Sequence, residues 1–243
     1  MATLHNGRMR IALRRLTCGL AAAVTFAGCV GLSGCGREST ANVDPQQVLN
    51  SASAKMKQLA GFHFVYQLNQ PQSAKKAEGV QKVDADINAK GEMRATVQYL
   101  SSGSLINVDV VAMADTHYVR FPLAAGWVKL KPSQSPLENL NLAGLPVQIL
   151  TEITSPTVKD IEKRVGHKTY HITGTVTKAD IENIAGNVST TDTFVTDLWI
   201  GVSDDLLYEV EIMGPMTKDE PAGTYRSVVL SNLDVPVDIV APQ

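Results

Sequence analysis

Acidic residues are missing from the first 34 positions, cysteine occurs three times, and aromatic side chains make up 5% of the 243 residues. Each shortage excludes something. The cysteines are Cys18, Cys29 and Cys35, so a chain that begins at Cys35 keeps one thiol, closes no internal disulfide and must fold on packing alone. Zinc sites built from cysteine pairs are excluded with it. No Gly-x-Ser-x-Gly elbow, phosphate-cradling loop or dinucleotide fingerprint occurs, which leaves hydrolase, nucleotide and cofactor chemistry without a motif. The expectation is a protein that is no enzyme and has no cofactor. Histidine points to no metal centre either. His63, His117, His167 and His171 are scattered over expected strands, where positions i and i+4 lie too far apart to chelate.

What is there begins with Arg8, Arg10, Arg14 and Arg15, then an apolar stretch over residues 16–32 that runs into Leu32-Ser33-Gly34-Cys35. This is the layout of a secretory signal. Its last four residues fit a lipobox, where small side chains must thread through a peptidase and a thiol must accept diacylglycerol. The expectation is a signal peptide over residues 1–34, lipidation of Cys35, a polar tether over 35–43, and a lipid-anchored protein on the extracytoplasmic (periplasmic) face of the cell membrane. A spanning anchor is the alternative, but the stretch is short for one and carries Gly19, Gly28 and Gly31. A competing site, Phe26-Ala27-Gly28-Cys29, has Phe where a small aliphatic is preferred.

Removing the four signal arginines leaves 18 bases against 24 acids, a net charge of −6. An acidic surface argues against nucleic acid or anionic lipid headgroups as the main electrostatic partner. From Cys35 onward 209 residues remain, enough for one domain over residues 44–243. Asp44 and Pro45 are a cap and first position for a helix over 45–60, with Gly61 at its expected stop. The pattern then turns to period two. Phe62, Phe64, Tyr66 and Leu68 alternate with polar residues or Val65, as do Val83, Ala85 and Ile87, then Met93, Ala95, Val97 and Tyr99, then Ile106, Val108, Val110 and Ala112. Such strands are antiparallel with one face buried. Further strands are expected at 118–121, 127–130, 157–165, 168–176, 193–202, 206–213 and 224–231. Residues 137–153 read as a leucine-rich helix interrupted near Gly144, and 178–184 as a short helix capped by Thr177. The fold class is α+β, a large curved antiparallel sheet with helices on one face.

Several segments in order are similar to the mycobacterial LppX/LprA/LprF/LprG lipoproteins. They are Ile172-Thr173-Gly174-Thr175-Val176 with Ala179-Asp180, Leu198-Trp199-Ile200, and Leu230-Ser231-Asn232 with Pro236-Val237. Phe62-His63-Phe64 after a helix, Tyr118 and Trp127 also resemble that family. The chain departs from it at Leu233, where the family usually has Trp, and at Ser135-Pro136-Leu137-Glu138-Asn139-Leu140, which replaces an Asp-Pro signature. The resemblance implies a half-barrel with helices against one side of an apolar cavity. It implies an acylated lipid or glycolipid as ligand, carried or presented beyond the inner membrane, and in some members a neighbouring membrane lipid transporter.

Candidate cavity lining is the alternating set Met93, Ala95, Val97, Val108, Val110 and Ala112, facing the helices at 45–60 and 137–153. The same residues also suit a solid core. A face paved with Ala and Val leaves space that Phe would fill, so both readings stand here, as a lipid carrier and as a non-enzymatic envelope scaffold or transporter accessory. Trp127 and Trp199 read as pocket lining or core. Asp84 and Asp86 read as a solvated strand face, and His63 as a surface or loop-contacting residue.

Overall fold

The residues that alternate along the chain pair across it. The structure, a computed structural model, describes residues 40–137, 141–185 and 188–243. The expected signal peptide, Cys35 and the first half of the tether lie outside the described residues. Helix α1 spans Pro45–Met56, and the Asp44 side chain accepts from the Gln46 and Gln47 backbone N–H groups at 2.9 and 3.4 Å. That caps two of the orphan donors of a helix N-terminus.

One meander then runs through β1 (Gly61–Asn69), β2 (Gly79–Asn88), β3 (Met93–Ser101), β4 (Ser104–Met113), β5 (Thr116–Arg120) and β6 (Val128–Leu130). A crossover holding a 3₁₀ turn at Pro132–Gln134 and helix α2 (Leu145–Glu152) leads to the opposite edge. The second meander returns through β7 (Thr154–Arg164), β8 (His167–Thr177), helix α3 (Lys178–Ala185), β9 (Thr193–Gly201), β10 (Leu207–Met213) and β11 (Tyr225–Ser231). All eleven strands form one antiparallel sheet in the order β6-β5-β4-β3-β2-β1-β11-β10-β9-β8-β7. The first strand of the chain and the last therefore pair at its centre, Phe64 opposite Leu230 and Tyr66 opposite Val228.

A flat sheet of this width would part its edges by roughly 48 Å, and open sheets beyond about ten strands curl instead. This sheet is curved and open. Bulges at Val80/Lys82, Leu207/Glu209 and twice in the β7–β8 pair add twist. The inner faces of both meanders join one hydrophobic cluster with Leu49, Ala52 and Met56 of α1, Leu145, Ile149 and Leu150 of α2, and Ile181 of α3. The helices thus sit on the inner face, α1 against α2 and β7, α3 against α2 and β8.

Two helices differ from the sequence reading. The first ends at Met56, four residues before the expected end, and Gly61 is the first residue of β1. A Cβ at Gly61 would stand 2.6 Å from the Val235 carbonyl and 2.8 Å from that of Ile87. This glycine serves a close passage between the C-terminal tail and β2, not a helix stop. Of the second, expected over 137–153 with an interruption near Gly144, the described residues are helical from Leu145, because Pro146 suits a first turn and Asn141 closes the turn before it. Thr177 does cap α3, in a reciprocal box: its hydroxyl accepts from Asp180 N–H, and the Asp180 carboxylate accepts from Thr177 N–H at 2.8 Å.

Candidate functional site

The concave face is apolar by construction. Period-two strands put Ala85, Ala95, Val110 and Val119 in one cross-strand row, and Val83, Val97, Val108, Tyr66, Val228, Val210, Leu198 and Ile172 in the next. Of the six predicted lining residues, Ala95, Val97, Val108 and Val110 lie in these rows, Met93 and Ala112 pair in a third, and all six are 0–8% exposed. They belong to the cluster that the helices cover.

An enclosed apolar pocket of about 10 Å³ lies between α2, α3 and the sheet's centre, lined by Tyr66, Leu142, Leu145, Ile181, Val210, Ile212, Arg226 and Val228. It has room for about one water. None of the six predicted residues lines it. Met93 and Ala112 instead border a recess of about 200 Å³ where the crossover residues Leu137, Asn141, Leu142 and Ala143 meet the turns before β3 and β5. His117 faces that recess. Its Nδ1 is buried without a hydrogen-bond partner among the described residues, and burial lowers its pKa. Pattern reading missed Tyr66 and Arg226 as pocket residues, although Arg226, Val228 and Leu230 alternate in register with the inner face. The Arg226 guanidinium is buried there against Glu220, Nη2 to Oε1 at 2.5 Å, and Glu220 in turn accepts from Met216 N–H. Burial raises the Tyr66 pKa, which the neighbouring Arg226 charge partly offsets.

The convex face carries the charge. Over β1–β5 it holds His63 at 2.9 Å from Asp86, Arg94 at 2.9 Å from Asp86 and Arg120 at 2.6 Å from Asp109, around a polar recess of about 340 Å³. Asp84 and Asp86 are thus members of a solvated ion-pair ladder. Burial acts upward on Asp86, but hydrogen bonds from His63 and Arg94 outweigh it and lower its pKa. Over the middle of β9 and β10 the same face is covered. Arg164 is bidentate to Glu209 at 2.5 and 2.8 Å, reaches Glu211 at 2.8 Å and lies 4.4 Å over Trp199. His171 stacks on Trp199 from the sheet side at 4.6 Å and meets Asp197 at 2.9 Å. Trp199 is therefore neither lipid lining nor inner core, because period two puts Leu198 and Ile200 inward and the indole outward. Trp127 also lies outside the inner face, bordering the polar recess under Arg120. Among the described residues no three His, Cys, Asp or Glu are grouped to hold a metal ion, and no helix is long and apolar enough to cross a membrane.

A family model described as LppX_LprAFG lipoprotein matches residues 44–239, the whole of the sheet and its helices. The chain belongs to that family. Its fold is that of two solved members. LprF from Mycobacterium bovis is 19% identical with a TM-score of 0.61, over 82% of this chain and 96% of its own. LppX from Mycobacterium tuberculosis is 16% identical with a TM-score of 0.58, over 81% of this chain and 98% of its own. No curated protein matches the chain in sequence. Within the family motif around Gly174 the structure supplies a reason for the glycine. A Cβ there would stand 2.6 Å from Ile153 and 2.7 Å from the Thr154 carbonyl, where α2 hands over to β7.

Proposed function

We propose that this family member binds the acyl chains of a lipid or glycolipid between the inner face of its sheet and the covering helices, and carries or presents them at the extracytoplasmic face of the membrane that Cys35 anchors it to. The observation that supports it most is the inner face itself, an apolar surface that runs across β1–β5 and β8–β11 under short helices and is interrupted by the Arg226–Glu220 pair. The work is physical and not catalytic. Exposing an acyl chain to water costs about 0.8 kcal/mol per CH₂, on the order of 12 kcal/mol for a chain of about 16 carbons. A sleeve that buries the chain removes most of that barrier. A membrane lipid transporter is the proposed neighbour that would load or unload it.

The pocket of about 10 Å³ favours a second reading, a scaffold or transporter accessory with a solid core. Ligand pockets generally measure roughly 300–1,000 Å³, so a lipid held at this pocket requires α2 and α3 to move off the sheet there. Native mass spectrometry of the whole chain carrying Cys35→Ala separates the two. Lipid of discrete mass on the protein supports the carrier, and bare polypeptide from a lipid-rich host supports the scaffold. Ala95→Trp and Val97→Trp sharpen the result. On a wall that parts from its cover they abolish lipid uptake and leave the melting temperature nearly unchanged. In a solid core each costs about 1–3 kcal/mol of stability.

A further inference from the structure

Eight large apolar side chains stand exposed among the described residues, and three of them fall within residues 121–128: Phe121 at 41%, Leu123 at 106% and Val128 at 44%. The other five are scattered singly, as on any soluble surface. Leu123 is the tip. Ala124 N–H donates to the Phe121 carbonyl at 3.1 Å, and the turn so closed holds Leu123 at φ +67°, a left-handed backbone that a leucine rarely adopts. Water and the backbone both oppose this display.

The charge around the tip is as selective as its shape. Residues 116–137 contain no Asp or Glu, in a chain whose net charge from Cys35 onward is −6. The tip Phe121-Pro122-Leu123-Ala124-Ala125-Gly126-Trp127-Val128 is uncharged, and Lys129 and Lys131 stand exposed at its base. Arg120 is already neutralised by Asp109 at 2.6 Å and covers one face of the half-buried Trp127 at 4.9 Å. An apolar tip, an indole just behind it and lysines below that are the layers of an interfacial anchor: acyl region, headgroup level, phosphates. A protein would need a pocket cut to receive a projecting leucine, whereas a bilayer is fluid and needs none.

We propose that the loop at residues 121–128 is a second membrane contact, inserting Phe121, Pro122 and Leu123 among the acyl chains of an anionic bilayer while Lys129 and Lys131 meet its phosphates. The inference does not rest on the carrier reading. It gives an orientation to a protein that would otherwise pivot on the tether after Cys35, setting the β6 edge of the sheet toward the lipid.

The test uses the unacylated chain from residue 36 onward, so that neither the apolar stretch at 16–32 nor a lipid on Cys35 contributes, sedimented with vesicles of phosphatidylcholine alone and of equal parts phosphatidylcholine and phosphatidylglycerol. The parent is expected on the anionic vesicles. Phe121→Ser with Leu123→Ser should weaken that partition about a hundredfold, near tenfold per side chain. Lys129→Gln with Lys131→Gln should weaken it about tenfold, on anionic vesicles only. Because the loop is exposed, all variants should melt with the parent, so lost binding is not lost folding. A parent that binds neither vesicle overturns the proposal and leaves a protein partner as the occupant. Binding that ignores the serine pair but needs the lysines overturns insertion in favour of surface adsorption.

Discussion

Across β2–β5 the inner face is mostly Ala and Val, with Ala85, Ala95, Val97, Val108 and Val110 beside Ile87 and Met93, whereas β8–β10 bury Ile172, Phe194, Leu198, Ile200 and Ile212 there. Their outer faces differ in the same sense. The outgoing half shows water a ladder of ion pairs, Lys82 with Asp84, Arg94 with Asp86, Arg120 with Asp109. The returning half covers Trp199, Asp197 and Glu209 until 4–7% remains exposed. Strands β2–β5 are thus a thin wall, buried on one side mostly by small side chains. The other half is a slab buried on both faces where β9 and β10 pair. Helices α1 and α3 lie against β7 and β8 of the slab. A sheet so divided can keep its shape in one half while the inner wall of the other changes what it touches, which is what a container for a flexible chain requires.

The comparison breaks most visibly at the slab's inner face. Arg226→Met leaves Glu220 buried, its side chain 5% exposed, without its cation. Losing one partner of a buried pair costs about 3–5 kcal/mol, so a large drop in the urea midpoint is expected. A drop no larger than that of an exposed pair would mean that the loop between β10 and β11 is open to water. On the outer faces the two halves can be set side by side. Arg164→Met strips a bidentate partner from Glu209 and the cover from Trp199, a loss of about 2 kcal/mol. Arg94→Met, removing a partner from the half-exposed Asp86, should cost under about 1 kcal/mol. Equal losses in chemical denaturation would erase the distinction between wall and slab.

Much of this was legible in the sequence because one signal, the two-residue period, is a direct consequence of strand geometry. It set every long strand and put Met93, Ala95, Val97, Val108, Val110 and Ala112 on the buried face. Strand order was not legible: nothing local says that β1 pairs with β11 across some 160 intervening residues. The helices were overread for a related reason. Leucine spacing over 137–153 satisfies a helix, but Pro146 and the Asn141 turn decide where one starts, and Gly61 looks like a helix stop until the Val235 carbonyl is seen beside it. Trp199, read as pocket lining or core, is buried to 4%, but its parity in the strand, with Leu198 and Ile200 inward, places it on the outer face. Arg226 shows the converse failure. Its parity pointed inward, but a lone arginine in a β-strand gives no sign of the Glu220 that permits burial until the loop is folded.

The smallest expected effect tests the two halves at matched positions, the two-residue hairpins Ser102-Gly103 and Val165-Gly166. Both place two successive residues at positive φ, 50° and 76° in the first, 50° and 85° in the second. This is the geometry that favours Asn-Gly, because its twist matches that of the strands. Serine tolerates the left-handed position poorly and a β-branched valine worse, since Cβ crowds the following carbonyl at a cost of roughly 1–2 kcal/mol. Val165→Asn should therefore stabilise by about 1 kcal/mol, a rise of about 2–4 °C in melting temperature for a domain of this size. Ser102→Asn should gain less than half of that. Val165 is itself 38% exposed, so little packing is lost to confuse the reading. The order of the two gains is the informative part. If Ser102→Asn helps as much as Val165→Asn, side-chain branching is not the source of strain. If Val165→Asn lowers the melting temperature, the valine must pack on the slab's outer face, and the sealed surface extends to the tip of the β7–β8 hairpin.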